Sequence, residues 1–222
     1  TYQYSNGYAP RTFIDGKIKD NNFSDCAVWI TFTGYAIVQE LGDLALLDEP
    51  VAFNDGTVGS VYEHMRRSVD FLYHFQGAHG LIKIWGGDWN DCMNLPLGAE
   101  STFNTALYAK ALLEMMDIEE HLGDTAAVEM YKGWYEDVKK AFNESAWDGK
   151  WWVRWFDKDG NAYGTNKAKY GKIYCNGQSW PIIGGIASGE HAKQGMDSLN
   201  KLLNTQYGVK SSTPGYRGFD PT

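Results

Sequence analysis

The sequence predicts a mainly α-helical chain built from helical hairpins, and three observations carry that reading. Apolar residues recur at helical spacing in one segment after another. Two of those segments end alike, in Leu41-Gly42-Asp43 and Leu122-Gly123-Asp124, and each is followed by a further helical pattern. One stretch, between residues 147 and 164, alternates as strands do. Repeated helix–turn–helix units suggest stacked αα-hairpins, which a closed α/α toroid and an open helical array both satisfy.

The opening residues are rich in Gly, Asn, Asp and Lys and read as irregular structure. From Ser24 the pattern changes. Ser24 or Asp25 serves as an N-cap, Val28, Phe32, Tyr35, Val38 and Leu41 keep helical spacing, and Gly42 closes the helix. The next helix starts at a Thr57 cap, runs its stripe through Val58, Val61, Met65, Val69, Leu72 and Phe75, and stops at Gly77. A third begins near Ser101, and a fourth is capped by Asp124 or Thr125. The dipeptides Asp148-Gly149 and Asp159-Gly160 flank alternating aromatics and charges, predicting a short β-ribbon inserted between helices. The segments "QSWPIIGGIASG" and "EHAKQGMDSLNKLLN" complete a last helical pair. No domain boundary interrupts the series.

Charge and composition exclude several classes. The net charge is -8, with 28 acidic against 20 basic residues and no dense basic run, which argues against a nucleic-acid surface. No apolar run is long enough for a membrane span. Cys26, Cys92 and Cys175 are isolated from one another, which fits a reducing, cytoplasmic setting, and no zinc-ligand spacing appears, so no metal is expected. The 9 Trp, 14 Tyr and 10 Phe admit two uses, an aromatic core and platforms for flat ligands such as sugar rings. His64 and His74 fall within a helical pattern, where surface or satisfied core positions are expected.

The stretch "GGDWNDCMN" asks for chemistry rather than structure. Two carboxylates, Asp88 and Asp91, stand three apart around Trp89 and Asn90, after the glycines Gly86 and Gly87. A lone loop aspartate is usually a turn or cap residue. An indole beside a carboxyl, however, excludes water and raises its pKa, as a general acid at neutral pH requires. Asn90 suits a sugar hydroxyl or the orientation of the acid. Glycosidic cleavage by inversion would need a second carboxylate as base, for which Glu100, Asp25 and Asp20 are candidates without a comparably dedicated context. On the residues alone, a sugar-processing acid and a structural loop stand level.

The run "LIKIWGGDWNDCMNL", followed by "GAES", resembles the catalytic loop of the inverting glycoside phosphorylases of glycoside hydrolase family 94. "ELGDLALLDEPVAF", "VYEHMRRSVDFLYHFQGAHGL", "NESAWDGKWWVRWFDKDGNAYG" and "GKIYCNGQSWPIIGGIASGEHAKQGMD" extend the likeness over essentially the whole chain. The resemblance implies an (α/α)6 barrel, with residues 1–222 forming part of one catalytic domain truncated at both ends. It implies Asp91 as the general acid and Trp89 as the aromatic lining the subsite of the reacting sugar. Asp88, Asn90 and Glu100 belong to the same matching stretch, with supporting or sugar-binding roles. Gln178-Ser179-Trp180 matches a further signature, with structural packing as its alternative.

The implied reaction is phosphorolysis of β-linked gluco-oligosaccharides with inversion, giving α-glucose 1-phosphate, and the reverse synthesis. Inorganic phosphate is the co-substrate and no cofactor is needed, which also removes the demand for a protein base. The expected partners are a β-glucan oligosaccharide and phosphate, without nucleic acid or membrane, and a homodimeric parent. Family members carry a β-sandwich, an Arg and an Asp that grip the sugar upstream, and a phosphate-binding His downstream, none of which matches a residue of this sequence. The isolated chain is therefore expected to be inactive. The alternatives are an inverting (α/α)6 hydrolase and a non-catalytic carbohydrate-binding helical domain.

Overall fold

The structure, a computed structural model, describes residues 2–19, 23–90, 95 and 97–218. Six α-helices dominate the described residues: α1 (Val28–Leu41), α2 (Val61–Tyr73), α3 (Thr102–Leu122), α4 (Thr125–Ser145), α5 (Cys175–Ile183) and α6 (Gly189–Leu203). The chain is thus mainly helical, and its strands are only two or three residues long. Among the described residues no helix is long and apolar enough to cross a membrane, and no group of three His, Cys, Asp or Glu side chains could hold a metal.

Helix α3 is the axis of the packing. Ser101 caps it by accepting from the amide of Asn104, and Gly123 ends it with φ 79° in the left-handed region. Asp124 then accepts from the amide of Ala127 and starts α4, so the Leu-Gly-Asp sequence makes the expected αα-hairpin. Buried residues occur all round α3, from Phe103 and Leu107 to Tyr108, Leu112 and Met115. A helix apolar on every side must lie inside the structure. Helices α1, α2, α4 and α5 pack around it.

Three boundaries differ from expectation. Ser24 and Asp25 do not cap α1 but lie in a 3-10 turn, Ser24–Ala27, that leads into it. The buried face of α1 is Val28, Thr31, Gly34 and Val38, whereas Leu41 is exposed. The reason is Gly34: a Cβ there would meet Sδ of Met65 at 2.5 Å, so the closest approach of α1 to α2 turns on the glycine rather than on the bulkier apolar positions. Helix α2 begins at Ser60, not Thr57. Ser60 and Glu63 form a reciprocal capping box, while Thr57 bonds Asp55 in a hairpin turn joining strands Pro50–Ala52 and Val58–Ser60. Its end also comes early, because the chain turns at Gly77 and Gly80 and pairs Gln76 with Ile82. His64 is a satisfied core residue, its ring bonded to Gln3 and to the carbonyl of Val51, and His74 is exposed.

The expected ribbon forms at Trp155–Phe156 and Ala162–Tyr163, closed by a turn in which Asp157 accepts from the amides of Asp159 and Asn161. It is not isolated. Strand Glu100–Ser101 pairs with Trp155–Phe156, and Lys83 bridges to Glu100. This small sheet seats the residues after position 80 against the start of α3. Trp151, Trp152 and Trp155 are buried around it, so much of the aromatic excess is core.

Candidate active site

Residues 86–90 are rooted by Asp88. Its carboxylate is wholly buried: Oδ1 accepts from the amide of Asn90 at 2.9 Å, and Oδ2 from Ser101 Oγ at 2.8 Å and Trp155 Nε1 at 3.0 Å. Arg154 Nη2 lies 2.6 Å from the same oxygen, and Nη1 donates to Ser101 Oγ at 2.8 Å. The guanidinium also lies 3.9 Å over the Trp155 ring and 5.0 Å over Phe103. Burial pushes the Arg154 pKa down and the Asp88 charge opposes that shift. The small sheet brings these groups together, since Ser101 and Trp155 are register partners. Gly87 lets the loop lie on Phe23, whose ring a Cβ would meet at 2.8 Å.

Held at this root, the next two residues face solvent space. Trp89 is 60% exposed, and with Asn90 it lines a cavity of about 420 Å³. Trp29, Phe103, Tyr174 and Trp180 supply its other aromatic walls, and Asn176, Ser179, Lys210 and Ser211 its polar groups. Indole faces among a few amides and hydroxyls suit a sugar, whose rings offer apolar C–H faces and hydroxyl rims. Burial and the nearby Tyr216 hydroxyl, at 3.2 Å, push the Tyr174 phenol up, so it stays neutral.

The remaining sequence candidates divide. Glu100 is 2% exposed, and its carboxylate accepts from the amides of His79 and Leu81 and from His79 Nδ1 at 2.6 Å. It braces the turn after α2 and does not line the cavity. Gln178 is buried and bonds both the amide and the carbonyl of Trp152, whereas Ser179 and Trp180 face the cavity. The signature Gln178-Ser179-Trp180 thus serves packing and cavity at once. Asp25 is buried beside Asp88, and its pKa is pushed up to about 6, by burial first and by the Asp88 charge second. Asp91 and Asp20 lie outside the described residues.

Sequence reasoning missed Arg154, Trp29 and the polar wall at Asn176, Lys210 and Ser211. Two signals were present. Trp29 is a large aromatic off the apolar stripe of its helix, and Arg154 is a cation amid "WWVRWF". The polar wall had none, because residues far apart in sequence meet there through α5 and the strand Ser212–Thr213 that pairs with Ile173–Tyr174.

Several known proteins are similar to this chain. A 3-O-beta-D-glucopyranosyl-beta-D-glucuronide phosphorylase of Paenibacillus borealis is 35% identical over 202 residues, 89% of this chain and 26% of the relative. An N,N'-diacetylchitobiose phosphorylase of Vibrio furnissii is 33% identical over 201 residues, 90% of this chain and 25% of the relative. The chain spans about a quarter of the length of these curated relatives. A GH78 family rhamnosidase of Bacillus sp. GL1 superposes with a TM-score of 0.63 at 13% identity, over 80% of this chain and 17% of that one, a likeness of fold alone. The family model for the catalytic domain of the glycosyl hydrolase 94 superfamily matches residues 8–220. The chain belongs to that superfamily and falls within its catalytic domain.

Proposed function

We propose that this chain is part of an (α/α)6 catalytic domain that phosphorolyses β-linked gluco-oligosaccharides with inversion, releasing α-glucose 1-phosphate. The observation that carries the reading is the aromatic cavity at the tip of a rigidly rooted loop. Asp88 is fixed by Arg154, Ser101 and Trp155, so Trp89 and Asn90 are held on the cavity wall. The residue next in sequence is Asp91, the proposed proton donor. Family membership supports the reaction class, and the relatives named above are phosphorylases.

In this reading Asp91 gives its proton to the glycosidic oxygen as the bond to the anomeric carbon breaks. An oxygen of inorganic phosphate attacks that carbon from the opposite face, so a β-linkage yields an α-phosphate. No protein carboxylate has to activate water and no cofactor takes part. Trp89 and Asn90 contact the sugar. Asp88 and Glu100 support it indirectly, by holding the loop and the turn beside it. The domain extent over residues 1–222, a homodimeric parent and a reducing, cytoplasmic setting belong to the same proposal.

The test is an incubation of the full-length protein with a panel of β-linked glucosyl disaccharides, with and without inorganic phosphate. Glucose 1-phosphate formed only with phosphate is expected. Free glucose formed equally without phosphate would overturn phosphorolysis in favour of hydrolysis.

A further inference from the structure

A second cavity, of about 300 Å³, shares Trp29 and Trp89 with the first. Among the described residues its lining is Pro10, Arg11, Asp25, Cys26 and the same two tryptophans. Two ring-sized spaces that share a pair of indoles are arranged as adjacent positions along one extended ligand. Both volumes fit the roughly 300–1,000 Å³ of small-molecule sites.

The chemistry of the smaller cavity is specific. Asp25 is 6% exposed, and its carboxyl is held by its own backbone amide and the Trp29 indole. Its Oδ1 is buried without a hydrogen-bond partner among the described residues. A buried carboxyl oxygen left unmatched is costly unless something supplies a donor. The Arg11 guanidinium is near enough to act on the Asp25 charge and is stacked over Phe23 at 4.4 Å, on an exposed wall. Carboxyl, guanidinium and indole faces around one small space match a pyranose, with hydroxyl donors for the first, hydroxyl acceptors for the second and a C–H face for the third.

We propose that Asp25, with Arg11, Trp29 and Trp89, forms a second sugar-ring subsite in which the Asp25 carboxyl accepts a hydrogen bond from one substrate hydroxyl. The inference rests on the sugar-processing reading above. It deepens it by naming a specificity residue in the turn before α1, more than sixty positions upstream of the loop that the sequence singled out. Asp25 is a binding residue here and takes no part in proton transfer.

The experiment is a hydroxyl scan on the full-length protein. The best disaccharide of the panel and its monodeoxy analogues are compared by kcat/KM in the wild type, Asp25→Asn and Arg11→Gln. One hydroxyl is expected whose deletion costs the wild type roughly 10- to 100-fold, the worth of a hydrogen bond to a charged group. In Asp25→Asn the same deletion should cost less than about threefold, since coupled contacts are non-additive. All other deletions should keep their wild-type penalties. An Asp25→Asn variant that loses the same factor on every analogue has only a structural defect, and that result overturns the subsite. Should Asp25→Asn not fold, Arg11→Gln on the exposed wall decides: a penalty reduced at one hydroxyl supports the subsite, and a uniform loss or none contradicts it. A wild type that neither turns over nor binds any of these sugars would overturn the proposed function and the subsite together. An active wild type with additive Asp25 effects would overturn the subsite alone.

Discussion

Asp88 Oδ2 and Arg154 Nη2 stand 2.6 Å apart with neither side chain reached by solvent. One residue lies in the loop and the other begins the ribbon after α4, so this contact ties together two segments distant in sequence. Coulombic attraction at low dielectric is strong, but desolvation of both ions consumes most of it. The pair survives because Ser101 and Trp155 saturate the carboxylate and two aromatic rings flank the guanidinium. Its consequence is positional: the backbone amide of Asn90 is bonded to the same carboxylate, so Trp89 and Asn90 are tied to this anchor.

Removing one partner should therefore unfold more than it inactivates. Asp88→Leu leaves a buried unpaired guanidinium and is expected to destabilise the protein by about 3–5 kcal/mol. The double replacement Asp88→Leu with Arg154→Met should cost less than the two single changes added. Denaturant midpoints of the four proteins decide it. Additive losses would mean that the pair is not energetically coupled.

Asp25 makes stability depend on pH in a defined direction. Its pKa is about 6 in the fold against 3.8 ordinarily. Below about pH 4 the carboxyl is protonated in both states. Between the two values the folded state holds a proton that the unfolded state has released, so stability falls as pH rises through this window. Above about pH 6 the loss is complete, on the order of 2–3 kcal/mol. Asp25→Asn should therefore melt higher than the wild type at pH 8 by a margin that shrinks towards pH 4. A margin independent of pH would contradict the shift.

Trp89 should behave oppositely to Asp88. It is 60% exposed, so Trp89→Ala is expected to change stability by no more than about 0.5 kcal/mol. As a cavity wall, its loss should raise KM for the sugar roughly tenfold, the usual effect of removing a tryptophan anchor. Melting curves and steady-state kinetics on one preparation test both halves. An unchanged KM would remove Trp89 from the sugar site.

Gly77 reports on Glu100. A Cβ at Gly77 would stand 2.4 Å from Cδ of Glu100, and that carboxylate is fixed by two amides and by His79. Gly77→Ala should force it out of this socket and destabilise the protein by about 1–3 kcal/mol. Gly133→Ala, where a Cβ meets nothing within 4 Å, is the control and should leave the melt unchanged or slightly raise it. Equal effects at the two sites would argue against a clamped Glu100.

Helices were legible where caps and periodicity agree. Gly123 and Asp124 punctuate α3 and α4 as read, because a left-handed glycine and an aspartate cap act locally. The start of α2 was misread because Thr57 is an equally good cap in isolation. The Ser60–Glu63 box and the hairpin before it decided the choice. The loop at 86–90 stood out by composition, but the anchoring role of Asp88 depends on Arg154, which no local pattern connects to it. Trp29 stands off the apolar stripe in the sequence, and that position acquires meaning once Gly34 has set which face of α1 is buried.

The central claim is that Asp91 protonates the leaving sugar. The measurement that tests it most directly compares wild type and Asp91→Asn, in the full-length protein with phosphate, on a β-glucosyl disaccharide and on β-glucosyl fluoride. Fluoride departs without general-acid help. The account predicts a loss of about 10²–10⁴-fold on the disaccharide and little or none on the fluoride. Equal losses on both substrates, or activity retained on the disaccharide, would contradict it.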